Sequence, residues 1–434
     1  MAPLRRLLLL SIQPPGASGV QAIRYAKLLA HLRVLGWEVH VLGPDPALDS
    51  VHREPVQAAA GTCHYLRAVA WSRRWSVRRH RFPAGHPLRG IYGVLQAGCR
   101  LLERLRKADP QAALLGSMCQ RAEALLRRQS FAAVAGVCPD FGVLEQAARC
   151  AARTGTPLIA IYDDPHGSRS LEGFKPADPQ RQEAVLQAAV FAIFASPLTR
   201  QRYIEAGLVA ADRSTWISDS HPVPPPVFSS RLSPPEVALP QPFRLLHLGN
   251  LGPWRPVEPL LAALQALAAA DDFPPAEIDQ FGYIYPEASR QVAASQALSA
   301  RLHVHPACPY AESHRHASAA SALLVVAGPR HPDNLPSKFF EYLGHRKPIL
   351  VLSPPDGCLA DILERYPVGL AADVTSAAAI EAALRQLVSR ADAFEAAYAT
   401  SGILEAYAAP AVAERWAQTF TRASIPERLF EENQ

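Results

Sequence analysis

Residues 7–42, LLLLSIQPPGASGVQAIRYAKLLAHLRVLGWEVHVL, decide the fold class of this chain. The unbroken apolar run over 7–12 predicts a strand buried on both faces of a parallel sheet. Apolar residues then recur at helical spacing over 19–35, Gly36 lies just beyond the helix end, and a second strand is predicted over 38–42. Strand, helix and strand in this order form a βαβ unit, which predicts a doubly wound α/β domain.

The same pattern recurs on both sides of a Pro-rich segment. Further strands are predicted over 132–137, 157–162, 322–326 and 348–352, and a helix over 256–270. The segment 223–241 is dense in Pro and lacks periodicity, which is typical of a stiff linker. We therefore predict two Rossmann-like domains, over 1–222 and 242–407, that face each other across a ligand-binding cleft.

Composition excludes several classes of protein. The chain has 434 residues, of which 49% are apolar and 19% charged, so it is neither a single small module nor globally disordered. The net charge of +5 is too small and too scattered to indicate a nucleic-acid partner. The seven Cys are widely spaced and never form CxxC, so we expect reduced thiols in a cytoplasmic protein, with no disulfide framework and no zinc site.

The first residues, MAPLRRLLLLSIQPP, combine two Arg with a short apolar run, as a secretory leader does. The run is only about six residues long and no small-residue cleavage site follows, so we interpret it as a strand. No stretch approaches the ~20 apolar residues that cross a bilayer.

The segment 333–344, DNLPSKFFEYLG, is the most informative stretch for function. Pro336 indicates a helix start, which places Lys338 in the first turn, where the helix dipole disfavours a cation. An anion docked there would remove the conflict. Glu341 lies on the same helix face and could accept hydrogen bonds from ribose hydroxyls. The alternative is an exposed Lys–Glu pair on a surface helix.

A second candidate is Gly249-Asn250-Leu251-Gly252 followed by Arg255. Glycine allows a backbone to approach a ligand closely, and an Arg before a helix is placed to contact a phosphate. Arg255 and Lys338 together would form a two-cation clamp for a diphosphate. The alternative is a tight turn with a solvated Arg.

Other motifs are absent or ambiguous. Gly16 and Gly19 are not the G-x-G-x-x-G of a nicotinamide dehydrogenase, and no D-x-D, HExxH or clustered His and Cys indicates a metal. Asp163-Asp164-Pro165-His166 follows a predicted strand and either places a carboxylate or imidazole in the cleft or forms an ordinary turn. The basic stretch 73–81 suits either an anionic membrane surface or lipid diphosphate, or a solvated face.

These features resemble bacterial glycosyltransferases of the GT-B fold, in the broad family 4 group of retaining, nucleotide-sugar-dependent enzymes. The resemblance covers most of the chain, through the stretches 14–44, 163–165, 246–264 and 332–357. It implies that residues 242–407 bind the donor nucleotide and 1–222 the acceptor. It also implies that a helix within 408–434 crosses back to the N-terminal domain.

The resemblance also assigns roles to residues of the C-terminal half. Glu341 matches the second acid of the family's E-x7-E motif, which contacts the ribose. Asp333 stands at the first acid, which is normally Glu and faces the donor sugar. Arg255 and Lys338 align with the basic pair on the diphosphate, and Asn250 stands where many members carry Arg.

In the N-terminal half, Gly16 and Gly19 match the glycine loop that approaches the donor phosphate. Gly249 belongs to the corresponding loop of the donor domain. Asp164 and His166 join Asp333 as the candidate catalytic residues.

The resemblance implies a metal-independent, hexosyltransferase-like enzyme. It would move a sugar from a nucleotide-diphosphate sugar to a saccharide or lipid-linked acceptor, with retention of configuration, in surface polysaccharide or glycolipid assembly. No cofactor beyond the co-substrate is expected, and contact with the inner face of the cytoplasmic membrane would run through residues 73–81. Two alternatives stay open: a nucleotide-sugar epimerase on the same fold, and a degenerate binding or scaffold protein in which Asn250 and Asp333 reflect lost catalysis.

Overall fold

A computed structural model gives the architecture of the chain. It describes residues 4–17, 19–46, 62–66, 75, 86–105, 110–170, 173–222, 242–270, 272–274 and 276–424. The chain divides into two compact units. The N-terminal unit comprises residues 1–168, 174–217 and 412–434, and the C-terminal unit comprises 169–173 and 218–411.

The N-terminal unit is built on a parallel sheet of seven strands in the order β3-β2-β1-β4-β5-β8-β9. Its strands are β1 (Arg5–Leu10), β2 (Trp37–Pro44), β3 (Thr62–Leu66), β4 (Ala133–Cys138), β5 (Leu158–Tyr162), β8 (Ala189–Phe194) and β9 (Ser214–Trp216). A separate pair, β6 (Gly167–Ser170) and β7 (Gly173–Pro176), forms a two-stranded sheet. The first described helices are α1 (Val20–Val34), α2 (Pro87–Leu105), α3 (Pro110–Arg128), α4 (Phe141–Thr154), α5 (Pro179–Ala188) and α6 (Pro197–Glu205).

The C-terminal unit has a parallel sheet of six strands in the order β12-β11-β10-β13-β14-β15. These are β10 (Phe243–Leu248), β11 (Ala276–Phe281), β12 (Leu302–His305), β13 (Ala322–Val326), β14 (Ile349–Ser353) and β15 (Gly369–Asp373). The remaining described helices are α7 (Glu258–Ala269), α8 (Pro286–Ala294), α9 (Gln296–Ser299), α10 (Tyr310–Ala319), α11 (Ser337–Leu343), α12 (Cys358–Arg365), α13 (Ala377–Ser389), α14 (Ala391–Ala397), α15 (Ile403–Tyr407) and α16 (Ala409–Ala423).

The predicted α/β class is confirmed, with small shifts in the element ends. The first strand spans 5–10 rather than 7–12, because its ladder with β2 starts at Arg5. Gly36 ends α1 in the left-handed conformation, with φ +87°, as predicted. The helix predicted over 256–270 begins at Glu258, two residues late.

Apolar side chains cover both faces of each sheet, as parallel sheets require. In the N-terminal unit, one face also packs against α16. There the rings of Trp416 and Phe420 contact Tyr25 and Trp37 edge-on, at 6.2 and 5.4 Å between centroids. Residues from Val412 onward therefore belong to the N-terminal unit.

Two predicted segments fall largely or wholly outside the described residues. They are the linker over 223–241 and the basic stretch over 73–81, of which only Trp75 is described. Within the described part of the chain, no helix is both long enough and apolar enough to span a bilayer.

Candidate functional site

The donor residues predicted in the C-terminal half lie where strand order reverses in the C-terminal sheet. The chain moves from β10 to β11 and β12 on one side and then returns to β13 on the other side of β10. Loops diverge at such a switch point and leave room for a ligand at the carboxyl ends of the strands. The loop that starts at Gly249 follows β10, and the loop that leads into α11 follows β13.

Two side chains of α11 fix the end of β10. The Lys338 ammonium donates to the carbonyl of Leu248, and the Leu248 amide donates to the hydroxyl of Tyr342 at 3.0 Å. Both backbone groups of the last strand residue are thus satisfied by α11. The contact places the Lys338 amine directly at the switch point.

Gly249 is required by this contact. Its φ of +119° is a conformation that other residues rarely adopt, and a Cβ there would lie 2.5 Å from the Lys338 amine. Gly249, which was predicted to let the backbone approach a ligand, therefore also leaves the space that the Lys338 amine occupies.

The pKa of the Lys338 amine lies well below that of an ordinary lysine. Burial is the main cause that lowers its pKa to about 7, the positive charge of Arg255 lowers it further, and the carboxylate of Glu341 opposes both effects. A nearby anion would restore the charged form. The charge of the Lys338 amine therefore depends on the ligand that binds next to it.

Arg255 and Asn250 lie on the loop after β10. The Arg255 guanidinium donates to the Asn250 carbonyl at 3.4 Å, and the Asn250 side-chain oxygen accepts from the Tyr283 amide at 3.0 Å. Asn250 therefore ties its own loop to the loop after β11. Because α7 starts only at Glu258, Arg255 belongs to the loop rather than to the helix mouth.

His247 is a residue of this site that sequence reasoning missed. It is fully buried, and its Nδ1 lies 2.5 Å from the side-chain oxygen of Gln280, whose amide nitrogen donates to the Gly249 carbonyl at 2.7 Å. Nδ1 therefore carries the proton, and Nε2 is a buried acceptor with no hydrogen-bond partner among the described residues. Burial, with the charges of Lys338 and Arg255, keeps the pKa of His247 well below its usual value. The available signal was a polar residue inside the apolar strand FRLLHL.

Asp333 lies on the loop between β13 and α11 and is only 2% exposed. The neighbouring Pro332 carbonyl accepts from the amide of Cys358 at 2.8 Å, which anchors this loop to the start of α12. The same loop is packed against the loop after β10, since a Cβ on Gly328 would lie 2.8 Å from His331 and closer still to the carbonyl of Trp254. The helix that follows, α11, has only seven residues, so side chains rather than a long helix dipole must supply the attraction for an anion.

The glycines of the N-terminal loop have local packing roles. Gly16 adopts φ +95° against Pro46, and Tyr65 donates to the Pro15 carbonyl beside it at 2.8 Å. A Cβ on Gly19 would overlap the side chain of Gln13, whose oxygen accepts from the amide of Gln21 in the first turn of α1. These residues belong to the N-terminal unit, as do Asp164 and His166.

The residues of the DDPH motif, 163–166, have different surroundings. Asp163 forms an ion pair with Arg24, a buried residue that also donates to the Ile217 carbonyl at 2.7 Å. Asp164, next along the chain, is exposed. His166 stacks on Phe141 at 4.5 Å and lines a cavity of about 480 Å³ with Ile12, Gln111, Pro139, Asp140, Gly142, Asp178 and Arg181.

The pKa of His166 lies below its ordinary value, which favours the neutral imidazole. Burial is the main cause that lowers its pKa, and its Nε2 is buried with no hydrogen-bond partner among the described residues.

Sequence spacing predicted no metal ligands, yet the fold brings three potential ones together in the N-terminal unit. The Cys119 thiol lies 3.3 Å from that of Cys150 and 3.4 Å from the Glu123 carboxylate. It is the one such group in the described part of the chain. Burial raises the pKa of both thiols, and Arg153 pairs with Glu123 at 2.8 Å, so the group is satisfied without an ion.

The fold of this chain recurs in solved structures of other proteins. No family model matches it, and no curated protein matches it by sequence. HepE from Anabaena, solved in complex with UDP and glucose, matches with a TM-score of 0.62 at 12% identity over 96% of this chain and 100% of its own. Sucrose-phosphate synthase from Thermosynechococcus elongatus matches with a TM-score of 0.62 at 15% identity over 96% and 98%.

A protein assigned as UDP-N-acetylglucosamine 2-epimerase from Listeria monocytogenes is also similar. Its TM-score is 0.53 at 10% identity, over 99% of this chain and 98% of its own. At such identities the likeness shows the fold alone. The chain has the GT-B fold, with two Rossmann-like α/β domains.

Proposed function

We propose that this chain is a glycosyltransferase that binds a nucleotide-diphosphate sugar through its C-terminal unit. The observation that carries the proposal is the pair of cations, Lys338 and Arg255, at the switch point of the sheet. Burial and mutual repulsion disfavour the charged form of Lys338 in the free protein. A diphosphate would offset both penalties, because it supplies negative charge next to the buried amine.

The same residues suit the chemistry of glycosyl transfer. Cleavage of the bond between sugar and diphosphate leaves negative charge on the departing phosphate, and preorganised cations stabilise that charge. Lys338 and Arg255 would do this without a metal ion. Glu341, three residues after Lys338 on α11, would accept hydrogen bonds from the ribose hydroxyls, and Asp333 stands where the resembled family holds the donor sugar.

Retention of configuration is part of the proposal and rests on the family 4 resemblance. In that scheme the departing phosphate takes the proton of the acceptor hydroxyl, so no side chain acts as nucleophile. The likeness to HepE, which was solved with UDP, supports UDP-sugars as the first donors to test. The acceptor class, saccharide or lipid-linked, and a place in surface polysaccharide or glycolipid assembly follow from the resemblance.

We assign the acceptor to the N-terminal unit, at the cavity that His166 lines. The ring of His166, stacked on Phe141, lines this cavity, and Asp164 adds an exposed carboxylate two residues away. His166→Ala should raise the KM for acceptor and leave donor binding unchanged, because His166 lies in a different unit from Lys338.

The test is thermal-shift binding of UDP, GDP, ADP and TDP and their sugars. Saturation at 100 times Kd stabilises a protein by about 2.7 kcal/mol, which is easily seen as a higher melting temperature. Lys338→Ala and Arg255→Ala should abolish the shift. Matched controls are Lys347→Ala and Arg290→Ala, which remove the same residue types from surface ion pairs with Glu395 and Glu287.

The outcome separates the three functional classes. A shift with one nucleotide family, lost in both site variants and kept in both controls, supports a donor site. Sugar transfer that needs an added acceptor extract then supports the transferase, whereas conversion of the nucleotide sugar without acceptor supports the epimerase. No shift with any nucleotide contradicts the donor site and favours a scaffold protein.

A further inference from the structure

Trp254 is an exposed aromatic residue on a tight turn beside Arg255. Residues 252–255 are Gly-Pro-Trp-Arg, and the amide of Arg255 donates to the carbonyl of Gly252 at 2.8 Å. Pro253 occupies the second position of this turn, where its fixed φ favours the bend. Trp254 is 59% exposed, more than any other Trp, Tyr or Phe in the described part of the chain. The turn therefore presents an indole ring to solvent next to a cation of the donor site.

One face of the Trp254 ring lies against Gly252. A Cβ on Gly252 would lie 2.6 Å from Cζ3 and 2.7 Å from Cζ2 of the ring, and closer still to Cη2, the atom between them. A point beyond the rim of the ring, in the ring plane, would be much farther from the two outer atoms than from the middle one. Gly252 therefore covers a face of the ring rather than its edge. Because the residue is still 59% exposed, the opposite face is open to solvent.

Two glycines leave the space that Trp254 occupies. The φ of Gly252 lies outside the left-handed region, so a left-handed backbone is not the reason for glycine there, and the space for the ring is. On the loop after β13, a Cβ on Gly328 would overlap the backbone carbonyl of Trp254. The ring and the backbone of Trp254 are thus both held by close packing. An aromatic ring that is fixed before a ligand arrives loses little conformational entropy on binding.

We propose that the open face of Trp254 stacks on a pyranose ring of the substrates, either the donor hexose or a sugar of the acceptor. The face of an aromatic ring carries partial negative charge and attracts the positively polarised edges of other groups. A pyranose ring presents C–H groups on its face, and these would meet the open face of the indole.

The assignment to a sugar rather than to the base rests on the proposed function. In a nucleotide-diphosphate sugar, the diphosphate joins the hexose to the ribose, and the base lies beyond the ribose. Arg255 is the proposed contact of the diphosphate and Glu341 that of the ribose. Because Trp254 precedes Arg255 directly, its ring is beside the diphosphate. The acceptor sugar must also approach this point, since the hexose carbon that it attacks is bonded to the diphosphate.

The test is titration calorimetry of the full-length protein with UDP and with UDP-glucose. If the stacked ring is the donor hexose, Trp254→Ala should raise the Kd of UDP-glucose about three- to tenfold and change that of UDP less than about twofold. Trp254→Phe should restore most of the affinity, because it keeps an aromatic face, whereas Trp254→Leu should behave like Trp254→Ala. Gly252→Ala retains the tryptophan but displaces its ring, so it should show the same selective loss.

A second set of titrations distinguishes the acceptor from the donor. Methyl glucoside and methyl galactoside are titrated into the protein with and without saturating UDP. If the stacked ring belongs to the acceptor, Trp254→Ala should weaken glycoside binding about three- to tenfold and leave UDP-glucose binding unchanged. Since the ring is exposed, the melting temperature of the free protein should stay the same in every Trp254 variant.

The matched control is Val304→Ala, which removes an exposed apolar side chain from β12 of the same unit and should bind all ligands like the wild type. The proposal is overturned if Trp254→Ala binds UDP-glucose and both glycosides as tightly as the wild type does. It is also overturned if Trp254→Ala weakens UDP as much as UDP-glucose, which would place the nucleoside on the ring. A wild-type protein that binds glycosides but no nucleotide contradicts the donor site alone, and one that binds neither contradicts both proposals.

Discussion

The pH dependence of donor binding tests the electrostatics of Lys338 directly. In the free protein the pKa of this amine is about 7, against an ordinary 10.5, because it is buried beside Arg255. A bound diphosphate raises the pKa, so the complex holds the protonated form across the neutral range. Binding above pH 7 must therefore take up a proton, and affinity must fall as pH rises.

The magnitude follows from the protonated fraction. With a pKa of about 7, roughly three quarters of Lys338 is charged at pH 6.5 and about 3% at pH 8.5. The Kd for a nucleotide-diphosphate sugar should therefore rise about 25-fold between these two pH values. At pH 8, binding should take up about 0.9 proton.

The assay is titration calorimetry with UDP-glucose in buffers of different ionisation enthalpy. UDP-glucose is preferred to UDP because its diphosphate carries no terminal phosphate group that titrates in this range. Lys338→Ala should bind weakly with a flat pH profile, and Lys347→Ala should retain the wild-type profile. A Kd that stays constant from pH 6.5 to 8.5, or a slope that survives in Lys338→Ala, would refute the reasoning.

Three further predictions concern metal dependence, Gly249 and His345. Treatment with EDTA should leave the transfer rate within about twofold, because two cations stabilise the leaving group; a loss restored by Mg²⁺ would contradict this. Gly249→Ala should abolish nucleotide binding and lower the free energy of unfolding by more than Gly36→Ala does. Both glycines have positive φ, but only a Cβ at residue 249 would collide with the Lys338 amine. Equal melting temperatures of the two variants, with nucleotide binding intact, would contradict this prediction. Burial lowers the pKa of His345 to about 4, so the unfolded chain binds more protons between pH 6.5 and 4 and stability should fall as pH drops through that window. His345→Asn should flatten this part of the urea-unfolding profile, and an unchanged slope would be contrary evidence.

The fold and the loop positions were predictable because they depend on local patterns. The apolar run over 7–12, ended by Gln-Pro-Pro-Gly, is typical of a buried parallel strand, and Gly36 ends the following helix because glycine readily adopts positive φ. The repeat of this pattern after residue 242 predicted a second sheet. Element ends shifted by one or two residues, as for α7, because pairing and capping rather than hydrophobicity set them.

The chemistry at the switch point was only partly predictable. Gly249, Arg255 and Lys338 could be selected because loops after strands carry ligand sites, yet nothing local shows that Lys338 reaches the carbonyl of Leu248, 90 residues earlier. Its lowered pKa arises from burial and from the charge of Arg255, both of which depend on neighbours distant in sequence.

Some features were decided by tertiary structure alone. The Nε2 of the fully buried His247 is a hydrogen-bond acceptor with no partner in the described part of the chain, because Gln280 from the adjacent strand holds the proton on Nδ1. Cys119 and Cys150 meet because α3 packs against α4. The sequence by itself determined which segments are strands and helices, since periodicity is local. Only the fold determined which side chains meet, because this depends on how distant segments pack.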